Sequence, residues 1–430
     1  MTLYSYFCPQ LTLALRIYFK KIYLINEQKM PLGKKTLYLL NHPTSFVDPI
    51  LLASQTKAYL HFLIRGDVFK KGIALKMLNS INGIPIFRAS DFRNAKDKNN
   101  ETFDRIAKVL HDNGSVMIMP EGSTDKRRKL RPFKKGFAHM AMHYWKNYNL
   151  DDINIVPVSL SYSDPTRWRS VVHIKFDDPI PLEKYVKTYE EDEVKTINKM
   201  RDDAYKTMRN NIVHIDRDAD AGLVGKLLKM EHNDYNFSLL PVKDSAKDLL
   251  EKEIRTTEFV NDLDEEGCTS IKQKTNQYFD NLKASGLSDA IIASSKSWNP
   301  LTTILLILIA PFALVGYMAN FLPIYGGKSL AYKLMKRDEF ICSVKIGAAL
   351  VFYNIYFFLT ILLSFIFLPW MFALAVIIGL PLTGLIFIYF KGLWKRHAIQ
   401  FKRTFTNSIK LSQFEERRTE LRKLTGSLVN

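Results

Sequence analysis

Between Lys296 and Lys328, and again between Lys345 and Lys391, the chain carries no charged residue. A helix crossing the hydrocarbon core of a bilayer needs roughly 20 apolar residues, and the backbone inside must satisfy its own hydrogen bonds. The stretch 346–390 therefore has room for two transmembrane helices joined at Leu368, Pro369 and Trp370. The stretch 297–327 has two readings. It forms a single span, or it turns back as a membrane hairpin, because Pro311 and Gly316 break a helix near its middle and Asn320 and Pro323 weaken its far end. Lys328, Lys333, Lys336, Arg337 and Lys345 in one loop, and Lys391, Lys395, Arg396, Lys402 and Arg403 in the tail 391–430, belong on the cytoplasmic side. Two crossings in 346–390 satisfy both placements. A hairpin at 297–327 would keep everything before it cytoplasmic as well, whereas a full crossing would not.

With 430 residues there is room for two or three domains. The formal charge of +18, combined with the apolar runs, points to an anionic lipid surface. No zinc-finger, RNP-like or basic-zipper pattern is present, so nucleic acid is not an expected partner. Cys8, Cys268 and Cys342 have no paired spacing and suggest neither a disulfide framework nor a zinc site, which fits a reducing, cytosol-facing location. Residues 1–30 lack a secretory cleavage site and mix Leu11, Leu13, Leu15, Ile17, Ile22 and Leu24 with Arg16, Lys20 and Lys21. They read as an amphipathic interfacial helix, or as an ordinary helix packed on its own domain.

From Thr36 to about Tyr185 short β-rich runs alternate with helical ones, the rhythm of an α/β domain over 31–185 with a mostly parallel or mixed sheet flanked by helices. Strands are predicted at Thr36–Leu40, Tyr59–Ile64, Ile84–Phe87, Ser115–Met119, Ile153–Ser161 and Val171–Phe176. Residues 186–296 are charge-rich and predict a polar helical spacer or subdomain, the alternative being that parts of it are disordered.

Four blocks of this domain carry chemistry. In Asn41-His42-Pro43-Thr44-Ser45-Phe46-Val47-Asp48-Pro49 a strand ends and a helix begins. A histidine there meets a ligand, and an aspartate early in the helix can hold one ring nitrogen and fix the tautomer. In Asn82-Gly83-Ile84-Pro85-Ile86-Phe87-Arg88 a glycine turn and strand deliver an arginine, whose planar fork suits a phosphate. Met117-Ile118-Met119-Pro120-Glu121-Gly122-Ser123-Thr124 ends a strand in a carboxylate and a bare backbone that a ligand can approach closely. Glu121 there could hold glycerol hydroxyls or position a neighbouring arginine. The basic loop that follows, with Lys126, Arg127, Arg128, Lys129, Arg131, Lys134 and Lys135, suits phosphates or solvates as an ordinary charged loop. Ile155-Val156-Pro157-Val158-Ser159-Leu160 is an apolar strand broken by proline.

Taken in order, the four blocks resemble the PlsC-like glycerophospholipid acyltransferase family over about residues 36–182, including the Pro-Phe-Lys-x-Gly run at 132–136 and the Pro-Ile-Pro-Leu close at 179–182. The resemblance implies a glycerolipid acyltransferase-like α/β fold, with His42 as general base and Asp48 as the residue that orients it. It also implies that Arg88 binds the acceptor phosphate with Gly83 shaping its approach, that Glu121, Gly122 and Ser123 complete the pocket, and that Pro157 shapes the acyl-chain side. Lys126, Arg127 and Lys134 are candidate phosphate contacts. The implied reaction moves a fatty acyl group from acyl-CoA or acyl-ACP to a hydroxyl of 1-acyl-sn-glycerol 3-phosphate, with no metal or other cofactor. Glycerol 3-phosphate or dihydroxyacetone phosphate is the alternative acceptor, and a membrane scaffold with an inactive acyltransferase fold is the non-enzymatic alternative. Two departures stand out. Five residues separate His42 from Asp48 where four are usual, and together with Phe46-Val47-Asp48-Pro49 this looks like a branch that includes fungal-type glycerol-3-phosphate acyltransferases. Ser123-Thr124 replaces the Thr-Arg that often follows Pro-Glu-Gly, so Lys126 or Arg127 is expected to take over that contact.

Overall fold

The computed structural model describes residues 3–31, 33–56, 59–69, 72–88 and 94–425. They fall into two units. The first takes in Met1–Ile212, Pro241–Lys247 and Met335–Ile346; the second takes in Val213–Leu240, Asp248–Leu334 and Gly347–Asn430.

The first unit begins with helix α1 (Leu3–Tyr18) and strands β1 (Lys21–Ile25) and β2 (Thr36–Leu40). It continues with α2 (Val47–Gln55), β3 (Leu60–Arg65), α3 (Ile73–Ser80), β4 (Gly83–Ile86), α4 (Ala95–His111) and β5 (Ser115–Ile118). Then come α5 (Gly136–Tyr148), β6 (Asn154–Tyr162), β7 (Val171–Phe176), β8 (Ile180–Pro181), α6 (Glu183–Glu191) and α7 (Glu193–Arg209). The described residues form a nine-stranded sheet in the order β4-β3-β5-β2-β6-β7-β1-β9, with β8 paired to β6 and β9 supplied by Lys243–Asp244. All pairings are parallel except β6 with β7 and with β8.

Strand β2 is buried along its whole length, as a central parallel strand covered on both faces should be. Its alternate residues serve two cores: Leu37 and Leu39 pack with α4, α5 and α7, and Tyr38 and Leu40 pack with α1 and α2. Because β2, β3, β4, β5 and β6 run parallel, their carboxyl ends gather on one edge of the sheet. That edge is where ligands bind in open parallel sheets.

One segment differs from expectation. The helix expected over 1–30 ends at Tyr18, and Lys21–Ile25 is a buried strand between β7 and β9. The charge of Lys21 suggested a polar helix face, yet the residue is fully buried, with Nζ donating to the Pro241 carbonyl at 2.5 Å and lying 3.5 Å from the Asp244 carboxylate. A strand inside the sheet can carry this lysine because residues 241–244 return from far along the chain to meet it.

The second unit is helical among its described residues. It holds α8 (Ala221–Asp234), α9 (Asp248–Asp262), α10 (Glu265–Ala284), α11 (Asp289–Ala293), α12 (Pro300–Leu334), the greater part of α13 (Asp338–Phe367), α14 (Trp370–Thr404) and α15 (Ser408–Leu424). Helices α12, α13 and α14 are each long and apolar enough to cross a membrane. Residues 300–334 run as one helix through Pro311 and Pro323, without the reversal that a hairpin needs. Gly316 lets α12 approach α14 so closely that a Cβ would sit 2.0 Å from the Thr383 carbonyl oxygen. Asn320 Nδ2 donates across to the Leu380 carbonyl at 3.1 Å, a pairing of small and polar residues that suits helices packed in lipid. Helix α15 docks through buried ion pairs, Arg418 with Asp289 at 2.8 Å and Arg422 with Glu231 at 3.1 Å.

Candidate active site

His42 follows β2 and Asp48 is the second residue of α2. Their side chains meet at 2.8 Å, His42 Nδ1 to Asp48 Oδ2. The five residues between them are absorbed by a turn that wraps the carboxylate. The Thr44 amide donates to Oδ2 at 2.8 Å, the Thr44 hydroxyl donates to Oδ1 at 2.6 Å, and the Tyr162 hydroxyl, arriving from the end of β6, donates to Oδ1 at 2.8 Å. Asp48 is fully buried, and burial pushes its carboxyl above the ordinary value, while His42, Thr44 and Tyr162 pull it back down. A carboxylate engaged this way accepts from Nδ1–H, so the second ring nitrogen, Nε2, is the basic one. Asn41 fixes the turn from the other side, exchanging two hydrogen bonds with the Leu160 backbone, at 2.9 and 2.6 Å.

Glu121 ties the turn to the basic loop. Its Oε1 accepts from the His42 amide at 2.7 Å, and its Oε2 accepts from Arg131 Nε at 2.8 Å and from the Arg131 amide at 3.2 Å. Burial raises the Glu121 carboxyl, and the Arg131 charge opposes that rise. Arg131 then reaches the Ser123 hydroxyl and carbonyl oxygens, which closes the Pro120–Ser123 turn. Gly122 sits in this turn at φ +74°, a left-handed conformation that favours glycine.

His42 lines a cavity of about 800 Å³. Apolar side chains such as Phe7 and Leu11 of α1, Ile50 of α2, Phe62 of β3, Ile86 of β4 and Met140 of α5 form most of the wall. Arg88, Lys134 and Arg337 bring positive charge to it, and Ser45, Ser123 and Thr124 bring hydroxyls. Of the residues singled out from the sequence, His42, Arg88, Gly122, Ser123 and Lys134 therefore share one cavity, with Asp48 held behind His42.

The remaining candidates lie elsewhere. Gly83 is buried at the start of β4, off the cavity wall, where a Cβ would come within 2.8 Å of the Leu78 carbonyl oxygen, so packing by itself calls for glycine here. Pro157 sits within β6 in register with Leu39, buried in the sheet and off the cavity wall. The apolar cavity wall is formed instead by α1, α2, β3, β4 and α5. Glu121 is used up in positioning Arg131 and the His42 backbone. Lys126 pairs with Asp338, Arg127 pairs with Asp125, and neither lines the cavity. Among the described residues, no three His, Cys, Asp or Glu side chains are grouped as a metal site would require.

Sequence reasoning missed Tyr162, Arg131 as a structural clamp, and the segment that carries Arg337. Tyr162 lies just past the Val-Pro block, and alternation along β6 was the one signal that could have placed it. Nothing local marks Arg337, which lies far along the chain.

The acyltransferase family model matches residues 21–161. Glycerol-3-phosphate O-acyltransferase 2 of Saccharomyces cerevisiae is 32% identical over 106 residues, 24% of this chain and 14% of the relative. Glycerol-3-phosphate O-acyltransferase 1 of the same yeast is 33% identical over 82 residues, 19% of this chain and 11% of the relative. The matched parts are thus small fractions of those relatives' lengths. The crystal structure of the 1-acyl-sn-glycerophosphate acyltransferase PlsC from Thermotoga maritima aligns with a TM-score of 0.34 and 16% identity, covering 48% of this chain and 80% of that one. The family match begins at β1, where the sheet begins, and encloses the His42–Asp48 pair, the Gly83–Arg88 strand, the Pro-Glu-Gly turn and the Val-Pro strand in that order along the chain. The chain accordingly carries an acyltransferase-family domain over residues 21–161.

Proposed function

We propose that this chain transfers a fatty acyl group from a thioester donor, acyl-CoA or acyl-ACP, to a hydroxyl of a glycerol-phosphate acceptor at a membrane. The observation that carries the reading is the His42–Asp48 contact of 2.8 Å on the wall of an apolar cavity that also holds Arg88 and Lys134. In this mechanism His42 Nε2 takes the hydroxyl proton while the oxygen attacks the thioester carbonyl carbon. The carbon–sulfur bond then breaks, and the departing thiolate takes the proton from the imidazolium. Products are an ester and a free thiol, and no covalent enzyme intermediate is needed. Arg88 and Lys134 would hold the acceptor phosphate, and the apolar wall would take an acyl chain. A site of this volume is within the ~300–1,000 Å³ usual for small-molecule pockets.

Two acceptors fit this chemistry. 1-Acyl-sn-glycerol 3-phosphate is one, and its product would be phosphatidic acid. Glycerol 3-phosphate is the other, favoured by the names of the two yeast relatives and by the five-residue His-to-Asp gap. The long apolar helices α12 to α14 would attach the chain to a membrane. The test is an acceptor and donor panel on full-length protein beside His42→Ala. Loss of general base catalysis should lower turnover by about 10² to 10⁴. A preference for the short or the acylated acceptor assigns the substrate. Equal lipid products from wild type and His42→Ala would instead support the scaffold reading.

A further inference from the structure

Residues 335–346, the end of the α12–α13 connection and the first turns of α13, belong to the same unit as the sheet. They dock on the turn between His42 and Asp48. The Ser45 amide donates to the Glu339 carbonyl at 3.2 Å, and the Ser45 and Ser343 hydroxyls meet at 2.8 Å. The exposed Phe46 ring packs edge-on to Phe340, with centroids 6.4 Å apart. Lys126 pairs with Asp338, and Lys345 Nζ donates to the Thr166 carbonyl at 2.7 Å. Cys342 and Ile346 are buried in the same core as Val47, Leu51 and Leu52. Ser45 and Phe46, residues of the longer His-to-Asp gap, thus serve as the landing surface for a segment from the far end of the sequence.

This docking brings Arg337 to the cavity wall with His42, Arg88 and Lys134. Its side chain is 64% exposed, its Nη2 donates to Glu339 at 2.7 Å, and its guanidinium lies 5.5 Å from the centre of the Phe340 ring. A guanidinium steadied by a carboxylate and an aromatic face is pre-organised for bidentate contact with a phosphate, and little further ordering is needed when the anion arrives.

We propose that Arg337 is a further phosphate-binding residue of this site, delivered by the segment 335–346 and registered on the catalytic turn through Ser45 and Phe46. The inference rests on the acyl-transfer reading. The anion it would hold is a phosphate, either the monoester of the acceptor or a phosphate group of the donor carrier.

The experiment uses full-length Arg337→Gln, which removes the charge, and Arg337→Lys, which keeps it. Acceptor and donor are varied separately in vesicle-reconstituted protein. For Arg337→Gln the acceptor KM should rise ~10- to 100-fold, as expected for a lost charge-assisted contact, with kcat within about threefold, and Arg337→Lys should recover part of the loss. A rise confined to the donor KM would uphold the phosphate site and assign it to the carrier. Unchanged values of both KM would overturn the proposal, and so would a fall in kcat alone. Equilibrium binding of glycerol 3-phosphate and of free coenzyme A to His42→Ala, with and without Arg337→Gln, separates the two readings. If wild type transfers no acyl group to any acceptor, the acyl-transfer reading fails. Weaker binding caused by Arg337→Gln would still sustain the phosphate site, and unchanged binding of both glycerol 3-phosphate and free coenzyme A would remove it.

Discussion

The turn of residues 41–48 and the loop of residues 121–135 face the same cavity and are built in opposite ways. In the turn, Asn41, Thr44 and Asp48 are buried, and four donors converge on the two oxygens of one carboxylate. The loop is dense in charge, with Lys126 and Arg127 more than half exposed and paired with carboxylates near them. A proton-transfer group loses rate when it is misplaced by a fraction of an ångström. A cation that attracts a phosphate tolerates looseness, because the Coulomb field varies slowly with distance. The contrast teaches that rigidity has been concentrated where geometry matters and charge where it does not. Glu121 joins the two regions by holding the backbone of one and the arginine of the other.

The strongest way to break this contrast is to change Asp48→Asn. The shape stays, but the amide can donate to Nδ1 and so places the ring proton on Nε2, where the acceptor hydroxyl needs a base. An analogous change in a serine-protease triad lowers kcat by about 10⁴, so a loss of about 10³ to 10⁴ in kcat with little change in acceptor KM is expected in steady-state assays. A drop under tenfold would mean that the carboxylate merely packs the turn.

Much of this arrangement was legible in the sequence because the relevant signals are local. Thr36–Leu40 carries three leucines and a tyrosine with no charge, as a strand covered on both faces should. His42 and Asp48 lie close enough in the chain for one turn to bring them together. The illegible parts are those whose meaning comes from distant residues. Lys21 looked like a polar face until Pro241 and Asp244 came to meet it. Gly83 looked like a ligand contact, yet the Leu78 carbonyl explains it. Tyr162 and Arg337 carry no mark of their destination, since each is placed by tertiary packing and not by its neighbours in sequence.

A second test asks what a buried carboxyl does without the partners that Asp48 enjoys. Asp177 follows β7, at the edge of the sheet away from Tyr162, and is 6% exposed. Its Oδ1 accepts from Asn211 at 2.6 Å, and its Oδ2 is buried with no hydrogen-bond partner among the described residues. Burial pushes this carboxyl from 3.8 to about 6. The folded state therefore holds the proton more tightly than the unfolded state, and stability is lost as pH rises from about 4 through about 6, then levels off. The shift corresponds to about 3 kcal/mol. In thermal unfolding between pH 4 and pH 7, the difference between Asp177→Asn and wild type should grow in favour of the variant across that window. A pH-independent difference would mean that Asp177 finds its missing partner in solution.

The smallest effect belongs to the loop. Lys126 was expected to replace the arginine missing after the Pro-Glu-Gly turn, but it is 51% exposed, pairs with Asp338 and lies off the cavity wall. Exposed ion pairs contribute about 0 to 1 kcal/mol, so Lys126→Ala should shift the acceptor KM by under about fivefold, and less at high salt because the field is screened. A shift above about tenfold that persists in 0.5 M salt would show a direct phosphate contact. The loop would then be part of the organised site, and the division between a rigid turn and a loosely held charged loop would have to be redrawn.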